Sequence, residues 1–98
     1  MSYLTELADA IRREVEPHLL PKGDTTQLFR IYAVLALAKG ERVTAEDVHN
    51  AWVAWMSGVQ PDHPSLEPYP ELPVDVQAAD EPYVEAIRAA VGNGSVQR

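Results

Sequence analysis

Three histidines and two tryptophans are the residues with the widest chemical range in this chain. His18, His49 and His63 are the nitrogen bases, and Trp52 and Trp55 the large aromatic plates. The histidines stand 31 and 14 residues apart, so none forms the i, i+4 pair that places two ligands on one helix face. A zinc site would have to draw on His49, His63 and either Asp62 or Asp80, brought together only by the fold. The plainer expectation is that His49 hydrogen-bonds a neighbouring loop and His63 pins a turn, with both ring nitrogens satisfied and no metal. There is no cysteine, which excludes disulfides, thiolate metal sites and a cysteine nucleophile. No G-x-S-x-G, Walker loop or H-E-x-x-H stands in the sequence. Ser2, Ser57, Ser65 and Ser95 have no base beside them in sequence. The expectation is therefore a protein that is not an enzyme and needs no cofactor.

Trp52 and Trp55 at helical spacing read first as core. Their indole N–H groups would then seek carbonyl acceptors in a nearby loop. If a pocket forms, an aromatic floor with a histidine and a tyrosine suits a flat ring such as a nucleobase.

The elements that must position these residues are helices. Ninety-eight residues make one domain, and 46% hydrophobic side chains suffice for one small core. Leu4, Leu7, Ala8, Ile11 and Val15 recur at helical period and predict a first helix over 2–16, with Ser2 as N-cap and Pro17 as the stop. A second helix begins at 24–26, where Asp24 and Gln27 resemble a capping box, and runs to Gly40. It is apolar nearly all round, which predicts a central helix or one with a face given to a homodimer. Thr44 and Asp47 form a capping box for a third helix, with Val43 and Val48 as its hydrophobic staple and an end near Ser57 and Gly58. Prolines 61, 64, 68, 70 and 73 forbid helix or sheet over 60–73 and make an extended arm. Leu66, Tyr69 and Leu72 are its apolar anchors. A short helical turn over 74–79 precedes a last helix opened by Asp80, Glu81 and Pro82 and striped by Tyr83, Val84, Ile87 and Val91. The predicted fold is all-α: a single-domain bundle of four to five helices over 1–92, wrapped by the proline-rich arm, with a flexible tail at 93–98.

Charge is uneven. Residues 1–42 hold six acidic and six basic side chains, whereas 43–98 hold nine acidic ones against Arg88 and Arg98 alone, giving the net charge of −7. The acidic half is a solvated face or a surface for a basic partner or cation. Nucleic acid is not an expected partner. No stretch reaches the roughly 20 apolar residues of a membrane span, and no signal peptide opens the chain, so the expected compartment is the cytoplasm. Six arginines to two lysines, with abundant alanine, is the usage of GC-rich coding, as in an actinobacterial or phage source.

Residues 48–91 resemble the RyR domain, the repeat of ryanodine receptors. The likeness is carried by H-x-x-W at His49 and Trp52, by His63, Pro64, Leu66, Pro68, Tyr69, Leu72 and Pro73, and by Asp80 ahead of the last helix. The G-W-x-Y-G and R-D-D patterns of that family are missing between Trp52 and His63. The resemblance implies a small non-catalytic binding module for a nucleotide-like ligand or a protein partner. It makes His49, Trp52, His63, Tyr69 and Asp80 the candidate ligand-binding residues. The alternative is a structural or regulatory protein, phage-encoded in one version, that acts through homodimerisation or its acidic face.

Overall fold

Helix α1 (Tyr3–Glu14) turns Leu7, Ala8 and Ile11 inward and leaves Asp9 and Arg13 in solvent. A computed structural model describes residues 3–92. The expected N-cap Ser2 and the tail at 93–98 lie outside the described residues. The helix stops two residues short of the expected Glu16. Glu16 itself is extended (φ −64°, ψ 138°), as a residue before proline must be, and Pro17 opens a 3₁₀ turn over Pro17–Leu19.

Helix α2 (Thr26–Lys39) buries Leu28, Phe29, Tyr32, Ala33 and Ala36. Its start differs from the expected capping box. Thr25 is the N-cap, and Asp24 Oδ1 accepts the Thr26 N–H at 2.9 Å, so Asp24 closes an Asx turn instead of reaching N3. Gly40 ends the helix at φ +59°, a left-handed conformation open to glycine, and its N–H returns to the Ala36 carbonyl. The helix is central but not enclosed. Val34 is 53% and Leu37 50% exposed, because α1, α3 and α5 cover only part of its circumference.

A 3₁₀ turn (Gly40–Arg42) leads to α3 (Ala45–Val59), which carries the predicted cap in full. Thr44 Oγ1 accepts the Asp47 N–H at 3.2 Å, and Asp47 Oδ2 accepts the Thr44 N–H at 3.0 Å. Val43 and Val48 are fully buried. Lys39 pairs with Asp47 at 3.3 Å, tying the end of α2 to the start of α3. The helix passes through Gly58 and ends at Val59. Helical glycine costs only about 1 kcal/mol, whereas Pro61 forces Gln60 out of the helix.

Residues 60–73 form the expected arm of turns. His63 Nδ1 accepts the Ser65 N–H at 3.0 Å, so this histidine pins a turn. A 3₁₀ turn over Tyr69–Glu71 drops Leu72 into a buried position, and Leu66 and Tyr69 are half-buried. Helix α4 (Val74–Ala78) is a single turn, clasped to the arm where the Gln77 amide donates to the Tyr69 carbonyl at 2.9 Å.

Helix α5 (Glu81–Gly92) returns across α1 and α2 with Tyr83, Val84, Ala86, Ile87 and Ala90 buried. Arg88 donates to the Val43 carbonyl at 2.8 Å. Phe29, Tyr32 and Tyr83 meet at the centre, with Phe29 and Tyr32 edge to face at 5.4 Å and Tyr32 5.5 Å from Tyr83. The Arg12 guanidinium lies 4.9 Å over the other side of Phe29. No strand occurs among the described residues, and the chain is a small all-α bundle.

Candidate functional site

His49 stands one turn before Trp52 on α3, so the two rings share a face and stack at 5.7 Å. The His49 ring is buried, and its Nε2 lies 2.7 Å from the Glu67 carbonyl of the arm. A carbonyl only accepts, so Nε2 carries the hydrogen. This is the loop contact expected of His49.

The other nitrogen, Nδ1, points toward Asp80 Oδ2 at 3.8 Å, beyond hydrogen-bond distance. Asp80 immediately precedes α5, where an aspartate ordinarily caps with its side chain. Here the cap is made by backbone. The N–H groups of Tyr83 and Val84 both go to the Asp80 carbonyl at 3.1 Å, and Pro82 has no N–H to offer. Among the described residues no hydrogen bond reaches the carboxylate, whose side chain is only 14% exposed. Burial pushes its pKa up, the nearby His49 draws it down and Glu81 raises it again; the result is about 6.

Above this pair is a cavity of about 330 Å³. His49, Trp52 and Asp80 line it, joined by Tyr32 from α2, Tyr83 from α5 and Ser65 from the arm. Leu19, Pro21, Val76, Ala79 and Pro82 complete an apolar rim. Tyr83 is held by donating its hydroxyl to the Leu19 carbonyl at 2.6 Å. Tyr32 is different. It is 1% exposed, it lines the cavity, and its hydroxyl makes no hydrogen bond among the described residues. Burial first, then Tyr83 and Asp80, hold its phenol far above the usual range, so it stays protonated as a donor.

Of the five residues singled out by sequence, three therefore line the cavity and two stand behind it. His63 meets Trp52 edge-on at 5.0 Å, and Tyr69 lies tilted 6.1 Å from His49. They brace the wall and the arm. Sequence reasoning passed over Tyr32 and Tyr83, which read as members of apolar stripes. The signal was present for Tyr32: its hydroxyl is the polar atom in a stretch otherwise nearly all apolar. Among the described residues no cluster of three His, Asp or Glu could hold a metal.

Sequence comparison covers the same span as the bundle. The chain belongs to the family described as Domain of unknown function (DUF7701), which matches residues 2–92. The likeness to the RyR domain is thereby corrected: no RyR family is found over these residues. The physical reason lies in what the shared residues do in this DUF7701 domain. His49 ties the arm by its carbonyl, His63 pins a turn, Leu72 anchors the arm, and prolines keep it extended. Any arm laid over a helix pair draws on those residue types, so they do not identify one family. No curated protein and no solved structure matches the chain. Among the described residues of the domain, no helix is long and apolar enough to cross a membrane.

Proposed function

We propose that this chain is a small non-catalytic binding module whose cavity takes a small, flat organic ligand. The observation that carries the reading is a half-open cavity lined by aromatic rings, onto which the Tyr32 hydroxyl and the Asp80 carboxylate open with no hydrogen-bond partner among the described residues. A ligand that pairs them in the shelter of the cavity gains hydrogen bonds that bulk water competes for less effectively. The stacked Trp52 and His49 and the paired Tyr32 and Tyr83 give the cavity an aromatic lining suited to a ring. The volume is that of a small-molecule site. Among the described residues no lysine or arginine lines it, so none of them offers the phosphates of a nucleotide a cationic partner there. The nucleotide-like ligand expected from sequence is narrowed to its ring.

Hydrolytic catalysis is the weaker reading of the same residues. Ser65, His49 and Asp80 line one cavity, the residue types of an acyl-transfer triad. In such a triad the aspartate binds one imidazole nitrogen and the other faces the serine. Here Nε2 is committed as a donor to the Glu67 carbonyl and is not free to take a serine proton.

The test is native mass spectrometry of the protein mixed with a small-molecule lysate fraction. A retained small-molecule increment, lost in a folded Tyr32→Leu variant, is the expected result. An unliganded dimer would instead give the role to the half-exposed Val34 and Leu37 on α2, covered by a second copy.

A further inference from the structure

We infer that the cavity selects an organic cation, a compact apolar or aromatic body bearing a protonated nitrogen that seats beside Asp80 and against Trp52. The inference rests on the reading of the cavity as a ligand site and names the chemistry of what enters it.

The site has one acidic and one basic group on its walls, and the basic one is already engaged. His49 gives Nε2–H to Glu67 and presents only Nδ1 to the cavity side. Asp80 has the opposite condition. Its backbone carbonyl does the capping of α5, so the carboxylate is left over, nearly enclosed, 3.8 Å from its nearest ionisable neighbour. A neutral ligand could give this carboxylate only an uncharged hydrogen bond, and an anion would meet it head-on. A protonated nitrogen would make a charge-assisted bond to it and could also lie against the Trp52 ring, an attraction that is strongest where water is excluded. The Tyr32 hydroxyl, without a hydrogen-bond partner among the described residues, supplies a further polar contact in the same cavity.

The wider field has the same sign. No lysine or arginine stands anywhere between residues 43 and 87. Glu81 adjoins Asp80 in sequence, and Glu81 and Glu46 both bear electrostatically on Tyr69 at the arm side. The groups facing Asp80 are His49 from α3, Tyr32 from α2, and Tyr83 and Glu81 from α5, with Tyr69 behind; His49 is the only one of them that becomes a cation. A cationic ligand would pair with the charged carboxylate. Its affinity should therefore weaken in acid, as Asp80 protonates. With Asp80 titrating at about 6, roughly a tenfold loss between pH 7.5 and pH 5 is expected.

Three probes of nearly equal shape test this on the full chain by isothermal titration and ligand-observed NMR: phenethylamine, 2-phenylethanol and phenylacetate. The expected order is the amine at least tenfold tighter than the alcohol, with no measurable binding of the acid. Asp80→Asn should bring amine and alcohol within twofold of each other and leave the alcohol unchanged, its fold checked by circular dichroism. The comparison in the unsubstituted protein needs no variant, so a misfolded Asp80→Asn leaves the test intact. Amine and alcohol binding equally well would overturn the cation and keep the ligand site. If none of the probes binds at millimolar concentration, both readings fail.

Discussion

His49 and Asp80 face each other across 3.8 Å, with the opposite nitrogen of the imidazole already donating to the Glu67 carbonyl at 2.7 Å. Burial lifts the Asp80 carboxyl well above its ordinary value, the neighbouring His49 draws it part of the way back, and Glu81 lifts it again, so the enclosed position disfavours the charged carboxylate on balance.

The pH dependence of folding follows from this relationship. The folded-state pKa of Asp80 is about 6, raised above its ordinary 3.8. Between about pH 4 and 6 the folded chain holds a proton that the unfolded chain has lost. The associated stability is complete below pH 4 and gone above pH 6. Asp80→Asn removes this effect, so the variant should gain on the unsubstituted protein as pH rises through that window. The gain should be on the order of 1–2 kcal/mol once solvent in the cavity is allowed for. Urea unfolding of both proteins at pH 4, 5, 6 and 7 measures it, and parallel pH curves would show that the carboxylate is well solvated.

His49→Ala should loosen the arm. It removes the bond to Glu67 and leaves that carbonyl without its partner, at a cost of about 1–3 kcal/mol. Limited proteolysis should then cut within residues 60–71 sooner than in the unsubstituted protein. Unchanged cleavage together with unchanged stability would mean that the arm is held by Leu72 and Gln77 alone.

Thr44→Ala should destabilise the fold by about 1 kcal/mol, seen as a lower urea midpoint at unchanged slope. Both bonds of the capping box are present, and they act on Asp47 as well. Burial pushes the Asp47 carboxyl up, but the Thr44 backbone and hydroxyl and the Lys39 ammonium outweigh it, and the net shift is downward. Asp47 thus stabilises above its unfolded pKa, and that contribution fades as pH falls through the lower folded value. This sign is opposite to that of Asp80, and Thr44→Ala should make it smaller. A Thr44→Ala midpoint equal to that of the unsubstituted protein would refute the helix start.

Phe29→Ala and Trp52→Ala should differ in kind. Phe29 is fully buried beneath Arg12, Tyr32 and Tyr83, and its loss should cost about 3–5 kcal/mol. Trp52 is only partly buried, with one side on the core and one on the cavity, and about 1–2 kcal/mol is expected from the smaller area it removes from water. Trp52→Ala should abolish binding of the ring probes while the fold survives. Equal stability losses for the two would make Trp52 a core residue.

The sequence by itself determined the helices and most of their ends. Local devices set them: the Thr44–Asp47 box, Gly40 at positive φ, Pro17 and Pro61 excluding the helix from the residues before them. These act over a few residues, so their meaning is readable along the chain. The arm was legible for the same reason, since five prolines restrict its backbone whatever lies around it. His49, Trp52 and Asp80 were legible as chemically capable residues, and the fold does bring them to one cavity. What only the tertiary structure decided is which polar atoms are used and which are left over. Asp24 looked like a capping-box residue and closes an Asx turn, while Asp80, at the opening of the last helix, caps it with its carbonyl and leaves its carboxylate to the cavity. Tyr32 looked like core and carries an unpaired hydroxyl into that space. The second helix read either as enclosed or as keeping one free face, and Val34 and Leu37 stand half in solvent. Hydrogen-bond satisfaction and burial depend on partners from distant segments. Tyr32 on α2, His49 on α3 and Asp80 before α5 acquire their surroundings only when the helices close on one another, and no local pattern records which of their polar atoms that closure leaves without a partner.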